Sequence, residues 1–156
     1  MKAVVQRVIN ADVSVEQIEK GRVDSGLLVY LGVGLDDSEK DADWLAEKIS
    51  GLRIFNDSEG KMNLSLYDLV TNNKQNETIG VLVISQFTLF ADTKKGKRPS
   101  WNGAAPPEKA KQLYEYFINA IKKQGLFCAN GEFQAHMKVT YTNDGPVTVI
   151  IDTKEK

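Results

Sequence analysis

The segment SQFTL places three polar residues at the end of an otherwise apolar stretch. Ser85, Gln86 and Thr88 follow the apolar run IGVLVI. A polar group that is buried without a hydrogen-bond partner costs roughly 1–3 kcal/mol, so three of them together require an explanation. They form hydrogen bonds across strands or reach solvent at a strand end, or else they line a pocket with donors and acceptors.

A second segment, TNDGPVT, holds a proline inside a strand-like pattern. Asn-Asp-Gly favours a tight turn, and Gly145 would let a ligand approach the backbone closely. Pro146 suits the start of a strand or a cis peptide bond. The segment is therefore either a hairpin turn between two strands or a rigid loop that presents backbone groups to a ligand.

The segment KKGKRP is basic, with Lys94, Lys95, Lys97 and Arg98 close together. It is either a solvated loop or a clamp for phosphate groups, whose affinity would fall steeply with salt. The net charge of the chain is -1. Any contact with nucleic acid must therefore come from a local patch such as this one.

Residues that commonly serve as catalytic bases or metal ligands are scarce. The chain has one His and one Cys, too few for a histidine-rich or four-cysteine zinc site, so no metal or cofactor is expected. Strand alternation in AHMKVTYT predicts that His136 points to solvent, and Cys128 is predicted to be a small core residue. A catalyst built from this chain must work without a conventional side-chain base.

Hydrophobic patterns predict an α+β fold: a mostly antiparallel, barrel-like sheet with two main helices, in a single domain that spans residues 1–156. Helical spacing begins after Ser38, with Asp41 placed for a capping box, and a second helix runs from near Pro107 to Gly125. Strands are predicted at KAVVQRVI, GLLVYLGVG and IGVLVISQFTLF and, on either side of NDGP, at AHMKVTYT and VTVIID.

The composition is 42% hydrophobic and 26% charged, as in globular proteins. No apolar run reaches the roughly 18 residues of a membrane span. The first residues, MKAVVQRVIN, lack the pattern of a signal peptide. A cytoplasmic protein is expected.

Four motifs resemble those of the D-aminoacyl-tRNA deacylases and occur in the same order: VVQRV, SQFTL, KKGKRPSW and NDGPVT. The resemblance covers essentially the full chain. It implies a homodimer that hydrolyses the ester bond of D-aminoacyl-tRNA, and of glycyl-tRNA mischarged on tRNA(Ala). A non-catalytic nucleic-acid-binding module is the alternative.

The resemblance also implies roles for the SQFTL residues. Ser85, Gln86, Phe87 and Thr88 would hold the 3′-terminal adenosine and the scissile ester, with backbone N–H groups near Phe87 and Thr88 as oxyanion donors. Proton transfer would rely on the 2′-hydroxyl of the terminal ribose. A second interpretation makes Thr88 the nucleophile.

The remaining implied residues surround that site. The cis peptide Gly145-Pro146 would enter the partner subunit's pocket, hold the substrate's α-amino group through backbone carbonyls, and exclude L-amino acids by a clash. Arg7 would support this loop. Phe133 and Met137 would form the pocket walls. Contacts to acceptor-stem phosphates would come from Lys94, Lys95, Lys97 and Arg98.

Gln134 departs from the resemblance, because a small residue usually follows the phenylalanine of GEF. On the pocket side it would alter the fit of the substrate, and on the outer face of the strand it would not.

Overall fold

A computed structural model describes residues 1–73, 77–94 and 96–155 of the chain. The α+β class is confirmed. The strands in this part of the chain are β1 (Lys2–Val15), β2 (Ile18–Gly32), β3 (Phe55–Asn56), β4 (Met62–Leu64), β5 (Ile79–Ser85), β6 (Phe127–Asn130) and β7 (Lys138–Asp152). The helices are α1 (Glu39–Ser50), α2 (Leu66–Thr71) and α3 (Pro107–Lys123).

The main sheet has the strand order β6-β5-β2-β1-β7, and β3 and β4 form a separate hairpin. β1 pairs antiparallel with β2 and β7, whereas β5 pairs in parallel with β2 and β6. The sheet is therefore mixed, with its longest pairings antiparallel. Each parallel pairing requires a crossover. α1 lies in the first crossover and α3 in the second.

The two main helices pack on one face of the sheet. Leu45 and Ile49 of α1 and Phe117 and Ile121 of α3 are fully buried in the larger core cluster, which also contains Val83 of β5. The helical spacing seen in the sequence thus marks the buried stripe of each helix. The two main helices predicted from the sequence are confirmed.

On the opposite face of the main sheet, side chains from all five strands pack together. Val8, Leu28 and Leu82, from β1, β2 and β5, are buried there, and Ala129 from β6 and Val139 from β7 both pack against them. β6 and β7 are the two edges of the sheet, which in a flat sheet would lie roughly 19 Å apart. The sheet must therefore be strongly curled, in agreement with a barrel-like core.

The predicted helix boundaries are confirmed by their caps. The backbone N–H of Ser38 donates to the carboxylate of Asp41 at 3.0 Å, which satisfies a donor at the start of α1. α3 begins at Pro107, and Gly125 follows its end with φ of +81°. The short helix α2 was not predicted, because six residues are too few to show a helical period.

The third predicted strand is shorter than expected. β5 ends at Ser85, and residues Phe87–Phe90 form a 3-10 turn. The prediction that this strand continues to Phe90 is therefore wrong. Where the chain leaves the sheet, the ring of Phe90 lies against Gly32, the last residue of β2, and Gly34, a contact between segments distant in sequence.

The hairpin interpretation of NDGP, one of the two that the sequence left open, is also wrong. β7 is one strand, and both of its halves pair antiparallel with β1, as the partners Val8 with Asn143 and Gln6 with Thr148 show. The chain bulges outward at NDGP and then continues in the same direction. A turn motif specifies local curvature, but the pairing of both halves with one strand keeps the direction unchanged.

Candidate active site

The polar residues of SQFTL lie where β5 leaves the sheet. The backbone N–H of Gln86 still donates to the carbonyl of Leu31 at 2.8 Å, and the 3-10 turn begins immediately afterwards. Ser85, Gln86 and Thr88 are half-buried, and Phe87 is exposed. The polar side chains therefore sit at the boundary between the core and the surface, where a ligand can reach them.

This turn presents two backbone donors. The N–H groups of Phe87 and Thr88 open the turn, where a helix leaves its donors without internal partners, and neither finds an acceptor among the residues that the structure describes. The side-chain amide of Gln86 donates to the hydroxyl oxygen of Thr88 at 2.5 Å. The Thr88 hydroxyl thus retains its own proton for donation to a ligand.

Gly32, the last residue of β2, and Gly34 allow the turn to lie close to the end of this strand. A Cβ built on Gly34 would lie 2.8 Å from the ring of Phe90, and one on Gly32 would lie 3.0 Å from the carbonyl oxygen of Gln86. A side chain at either position would require the turn or the Phe90 ring to shift. The absence of these two side chains therefore positions the backbone donors of the turn.

A cavity of about 670 Å³ opens beside the turn, which is within the usual range for small-ligand sites. Among the predicted site residues, Ser85, Gln86 and Phe87 line it, as do the predicted wall residues Phe133 and Met137. Thr88 does not line it directly but is joined to it through Gln86. One end of this cavity is thus polar and the rest is apolar.

Tyr114 of α3 forms part of the apolar wall, and its side chain was assigned only to the core by the sequence pattern. Its hydroxyl donates to the carbonyl of Val83 at 2.9 Å, and its ring lies 5.8 Å from that of Phe133. Burial raises the pKa of Tyr114 well above its usual value. The hydroxyl is therefore a fixed neutral donor that secures the wall.

Gln134 also lines the cavity, so it lies on the pocket side. Its φ is +64°, a left-handed conformation that favours glycine. Residues 133 and 134 form a turn, and β7 begins only at Lys138, so the predicted strand start at Ala135 is wrong. Gln134 is thus both a departure from the resemblance and a side chain that changes the lining of the site.

Arg7 lies under the bulge of β7. Gln6 pairs with Thr148 and Val8 pairs with Asn143, so the four residues 144–147 all lie opposite Arg7. The guanidinium is buried and contacts the Asp144 carboxylate at 2.8 Å, the Ile54 carbonyl at 2.7 Å and the Asn56 side-chain oxygen at 3.2 Å. Arg7 therefore connects the bulge to the β3–β4 hairpin.

The bulge carries Gly145 and Pro146, which are exposed and joined by a cis peptide bond. The φ of Gly145 is +122°, and an added Cβ would lie 2.8 Å from the side chain of Val147 and 3.0 Å from Arg7. Only glycine fits there. Neither Gly145 nor Pro146 lines the cavity beside the β5 turn, so one chain does not bring these two parts of the predicted site together.

The residues that flank the basic segment pair with each other. Asp92 and Ser100 exchange backbone hydrogen bonds of 2.8 and 3.1 Å at its base. Lys94, Lys97 and Arg98 are exposed, and none of them forms an ion pair within the described ranges. Lys95 lies outside the described residues. These cations are available to an anionic ligand.

His136 and Cys128 match their predictions in exposure and burial. His136 is exposed, although it also contributes to the rim of the cavity. Cys128 is buried, and burial raises the pKa of its thiol to about 12, which keeps it protonated and unreactive.

Trp101, another cavity residue, received no role from the sequence. Its aromatic character after a basic run was the available signal.

The fold and the cavity define a class of protein. A cavity at the end of a central strand, with free backbone N–H groups beside a polar end, is typical of hydrolases that stabilise an oxyanion. A family model described as D-Tyr-tRNA(Tyr) deacylase matches residues 4–152. The chain belongs to this family, whose members are enzymes that hydrolyse ester bonds.

Similar proteins cover the whole chain. D-aminoacyl-tRNA deacylases of Thermotoga petrophila and Koribacter versatilis are 52% and 53% identical to it, over 99% and 100% of this chain and 99% of each relative. A solved structure described as the c-Myc DNA Unwinding Element Binding Protein is 36% identical, with a TM-score of 0.86 over 97% of this chain and 98% of that one.

A probable eukaryotic D-amino acid tRNA deacylase has the same fold, with a TM-score of 0.79 at 15% identity over 96% of this chain and 97% of that one. In the described part of the chain, no helix is both long and apolar enough to cross a membrane.

Proposed function

We propose that this protein hydrolyses the ester bond between a D-amino acid and the 3′ end of tRNA. The observation that carries the proposal is the β5 turn, whose free N–H groups at Phe87 and Thr88 adjoin a nucleoside-sized cavity. The two deacylases that share about half of its residues support this substrate class.

The terminal adenosine lies in the cavity with Ser85 and Gln86 at its polar end. The ester carbonyl then accepts hydrogen bonds from the N–H groups of Phe87 and Thr88, which stabilise the negative charge that develops when water attacks. The bond between the carbonyl carbon and the ribose oxygen breaks, and this oxygen takes up a proton and leaves as the ribose hydroxyl. The neighbouring 2′-hydroxyl transfers protons, because none of the described residues at the turn is a conventional base.

Thr88 positions the substrate rather than attacking it. Its oxygen accepts a short hydrogen bond from Gln86, which holds the hydroxyl at the edge of the turn. An attacking hydroxyl needs a base to remove its proton, and Gln86 is not one. The nucleophile role for Thr88 ranks second.

The stereochemical filter comes from a second copy of the chain. Gly145 and Pro146 project from the surface and do not line the cavity of their own chain, which supports a homodimer in which each bulge enters the partner's cavity. Backbone carbonyls of the bulge hold the α-amino group and leave no space for an L side chain. Glycine lacks a side chain and passes the filter, so glycyl-tRNA mischarged on tRNA(Ala) is also a substrate.

The basic loop binds the tRNA acceptor stem. Lys94, Lys97 and Arg98 are exposed and free of ion pairs within the described ranges, and Lys95 belongs to the same segment. Contacts of this kind fix the orientation of a nucleic acid without reading its sequence. They suit an enzyme that acts on one end of many tRNAs, in the cytoplasm where charged tRNA is present.

A rival function is nucleic-acid binding without catalysis. One observation favours it: the 36%-identical solved structure is described by its binding to a DNA element. Such a module would use the basic loop but would have no need of the Gln86–Thr88 cavity end. Binding of tRNA without turnover would support the rival.

The test compares hydrolysis of D-tyrosyl-tRNA and L-tyrosyl-tRNA by the purified protein in the presence of a chelator. Rapid loss of the D-ester, with the L-ester spared, is the expected result. If neither ester is cleaved while tRNA still binds, the deacylase proposal is wrong for this chain and the binding module replaces it.

A further inference from the structure

Two aromatic side chains at the rim of the cavity have no part in the chemistry described above. Phe87 is 56% exposed and Trp101 is 37% exposed, and both line the cavity. Their ring centroids are 5.4 Å apart, with the planes at 78°. Large aromatic rings that are exposed side by side at the mouth of a ligand site form a binding surface rather than a part of the core.

Both rings project from fixed backbone. Phe87 opens the 3-10 turn that rests on Gly32 and Gly34. Trp101 follows the closed base of the basic loop, and its carbonyl accepts a hydrogen bond of 2.9 Å from the N–H of Ala104. A surface held in this way can bind a flat ligand without first being ordered.

The charges nearby indicate what this surface binds. Lys97 and Arg98 precede Trp101 by a few residues and are exposed. Cations that follow a phosphate backbone, beside aromatic rings on which bases stack, are the combination found in proteins that bind single-stranded nucleic acid. A nucleotide would use both the rings and the cations, whereas an apolar peptide would leave the cations unpaired, so a nucleotide is the occupant.

We propose that Trp101, held by its edge-to-face contact with Phe87, is a stacking platform for the base of the nucleotide that precedes the terminal adenosine of tRNA. This inference rests on the proposed function: the terminal nucleoside fills the cavity, and the next nucleotide of an unpaired 3′ end then lies at its mouth. The platform is independent of base identity, because every base has a stacking face. It makes Trp101 a binding residue for the end of the tRNA.

A binding experiment tests the platform without catalysis. The chain has two Trp residues, so Trp44→Phe leaves Trp101 as the single tryptophan reporter. The single-tryptophan protein is titrated with adenosine and with a dinucleotide that ends in adenosine. Stacking predicts that the dinucleotide quenches Trp101 fluorescence more strongly and binds roughly tenfold more tightly. Equal quenching and equal affinity for the two ligands would overturn the inference.

Kinetics provide the second test. Trp101→Ala is expected to lower kcat/KM through KM, with a loss about tenfold larger for D-aminoacyl-tRNA than for D-aminoacyl-adenosine, which lacks the preceding nucleotide. Trp101→Phe keeps a stacking ring and retains most of the activity. Equal losses on both substrates, or conversion of a dimer to a monomer in sedimentation, would instead mean that Trp101 shapes the cavity or contacts a second copy.

The failure of this inference and that of the proposed function are distinguishable. If the unaltered protein cleaves neither D-ester, the proposed function fails, whereas the fluorescence titration still reports whether a base stacks on Trp101. If both D-esters are cleaved but Trp101→Ala affects them equally, only the platform is wrong.

Discussion

The Nε of Arg7 contacts both the side chain and the backbone of Asp144. Nε lies 2.8 Å from the Asp144 carboxylate and donates to the backbone carbonyl of the same residue at 3.3 Å. Nη1 meanwhile donates to Ile54 at 2.7 Å. One buried guanidinium thus fixes the start of the protruding bulge against the β3–β4 hairpin, although the three segments are far apart in sequence.

Arg7→Lys is expected to loosen the bulge. A lysine ammonium is a point donor and does not reproduce the fork that reaches Asp144, Ile54 and Asn56 together. If the bulge filters stereochemistry, kcat/KM for D-tyrosyl-tRNA falls by roughly tenfold or more, and the ratio of D to L hydrolysis falls with it. Both rates are measured with purified substrates.

The matched control is Arg53→Lys, since Arg53 is exposed and its side chain donates hydrogen bonds to Asn63 on the hairpin. It should leave the D-to-L ratio unchanged. An Arg7→Lys protein that folds normally and keeps full discrimination would show that the bulge does not need this anchor.

Thr88→Ala distinguishes positioning from nucleophilic catalysis. Removal of the hydroxyl leaves the Gln86 amide without its acceptor, which predicts a partial loss of kcat, about tenfold. A tRNA that ends in 2′-deoxyadenosine should be nearly inert with the unaltered protein. If Thr88→Ala abolishes hydrolysis and the deoxy substrate reacts normally, Thr88 is the nucleophile.

Gly34→Ala should displace the turn that carries the backbone donors. The new methyl group would lie 2.8 Å from the Phe90 ring, and overpacking of this kind costs about 1–3 kcal/mol of unfolding free energy. We expect kcat to fall more than KM changes, because the donors act on the transition state. The measurement combines thermal unfolding with steady-state kinetics.

Gly103→Ala is the control on the same ring, since its methyl group would lie at 3.5 Å, an ordinary contact. The double variant Gly34→Ala/Phe90→Leu makes room for the methyl group and should recover part of kcat. Equal kinetics for the Gly34 and Gly103 variants would contradict the positioning role.

Asp37 predicts how stability depends on pH. Burial opposes ionisation of its carboxylate, but contacts with the Met1 ammonium, the Gly34 amide and Lys154 outweigh burial, so its pKa lies below the usual value. A depressed carboxyl pKa stabilises the fold above its unfolded pKa of about 3.9, and this contribution is lost as pH falls through the lower folded pKa.

Asp37→Asn should therefore destabilise the protein at pH 7 by about 3 kcal/mol, as expected when one partner of a buried ion pair is removed. The difference from the unaltered protein should shrink as pH falls below about 4. Chemical denaturation at a series of pH values measures it. Asp36→Asn, at the exposed neighbour, should be nearly neutral, and a difference that persists in acid would contradict the pH assignment.

The sequence predicted local elements well where a period or a cap is complete within a few residues. α1 with its Ser38–Asp41 cap and α3 with its Pro107 start lie where they were expected. Prediction from the sequence failed where a segment distant along the chain determines the structure. The chain leaves the sheet after β5, and Phe90 packs against Gly34. In β7, pairing with β1 overrides the turn motif NDGP.

By itself, the sequence determined the chemical groups that are available: the polar cluster at Ser85–Thr88, the glycine and proline of the bulge, the basic segment, and a single histidine and cysteine. Tertiary structure alone decided that Gln86 meets a cavity with Trp101 at its rim, that Gln134 lines it, and that Gly145 does not reach it within one chain. The physical reason is that residue types are local properties. Cavities, bulge direction and the exposure of backbone donors depend on which distant segments pack together.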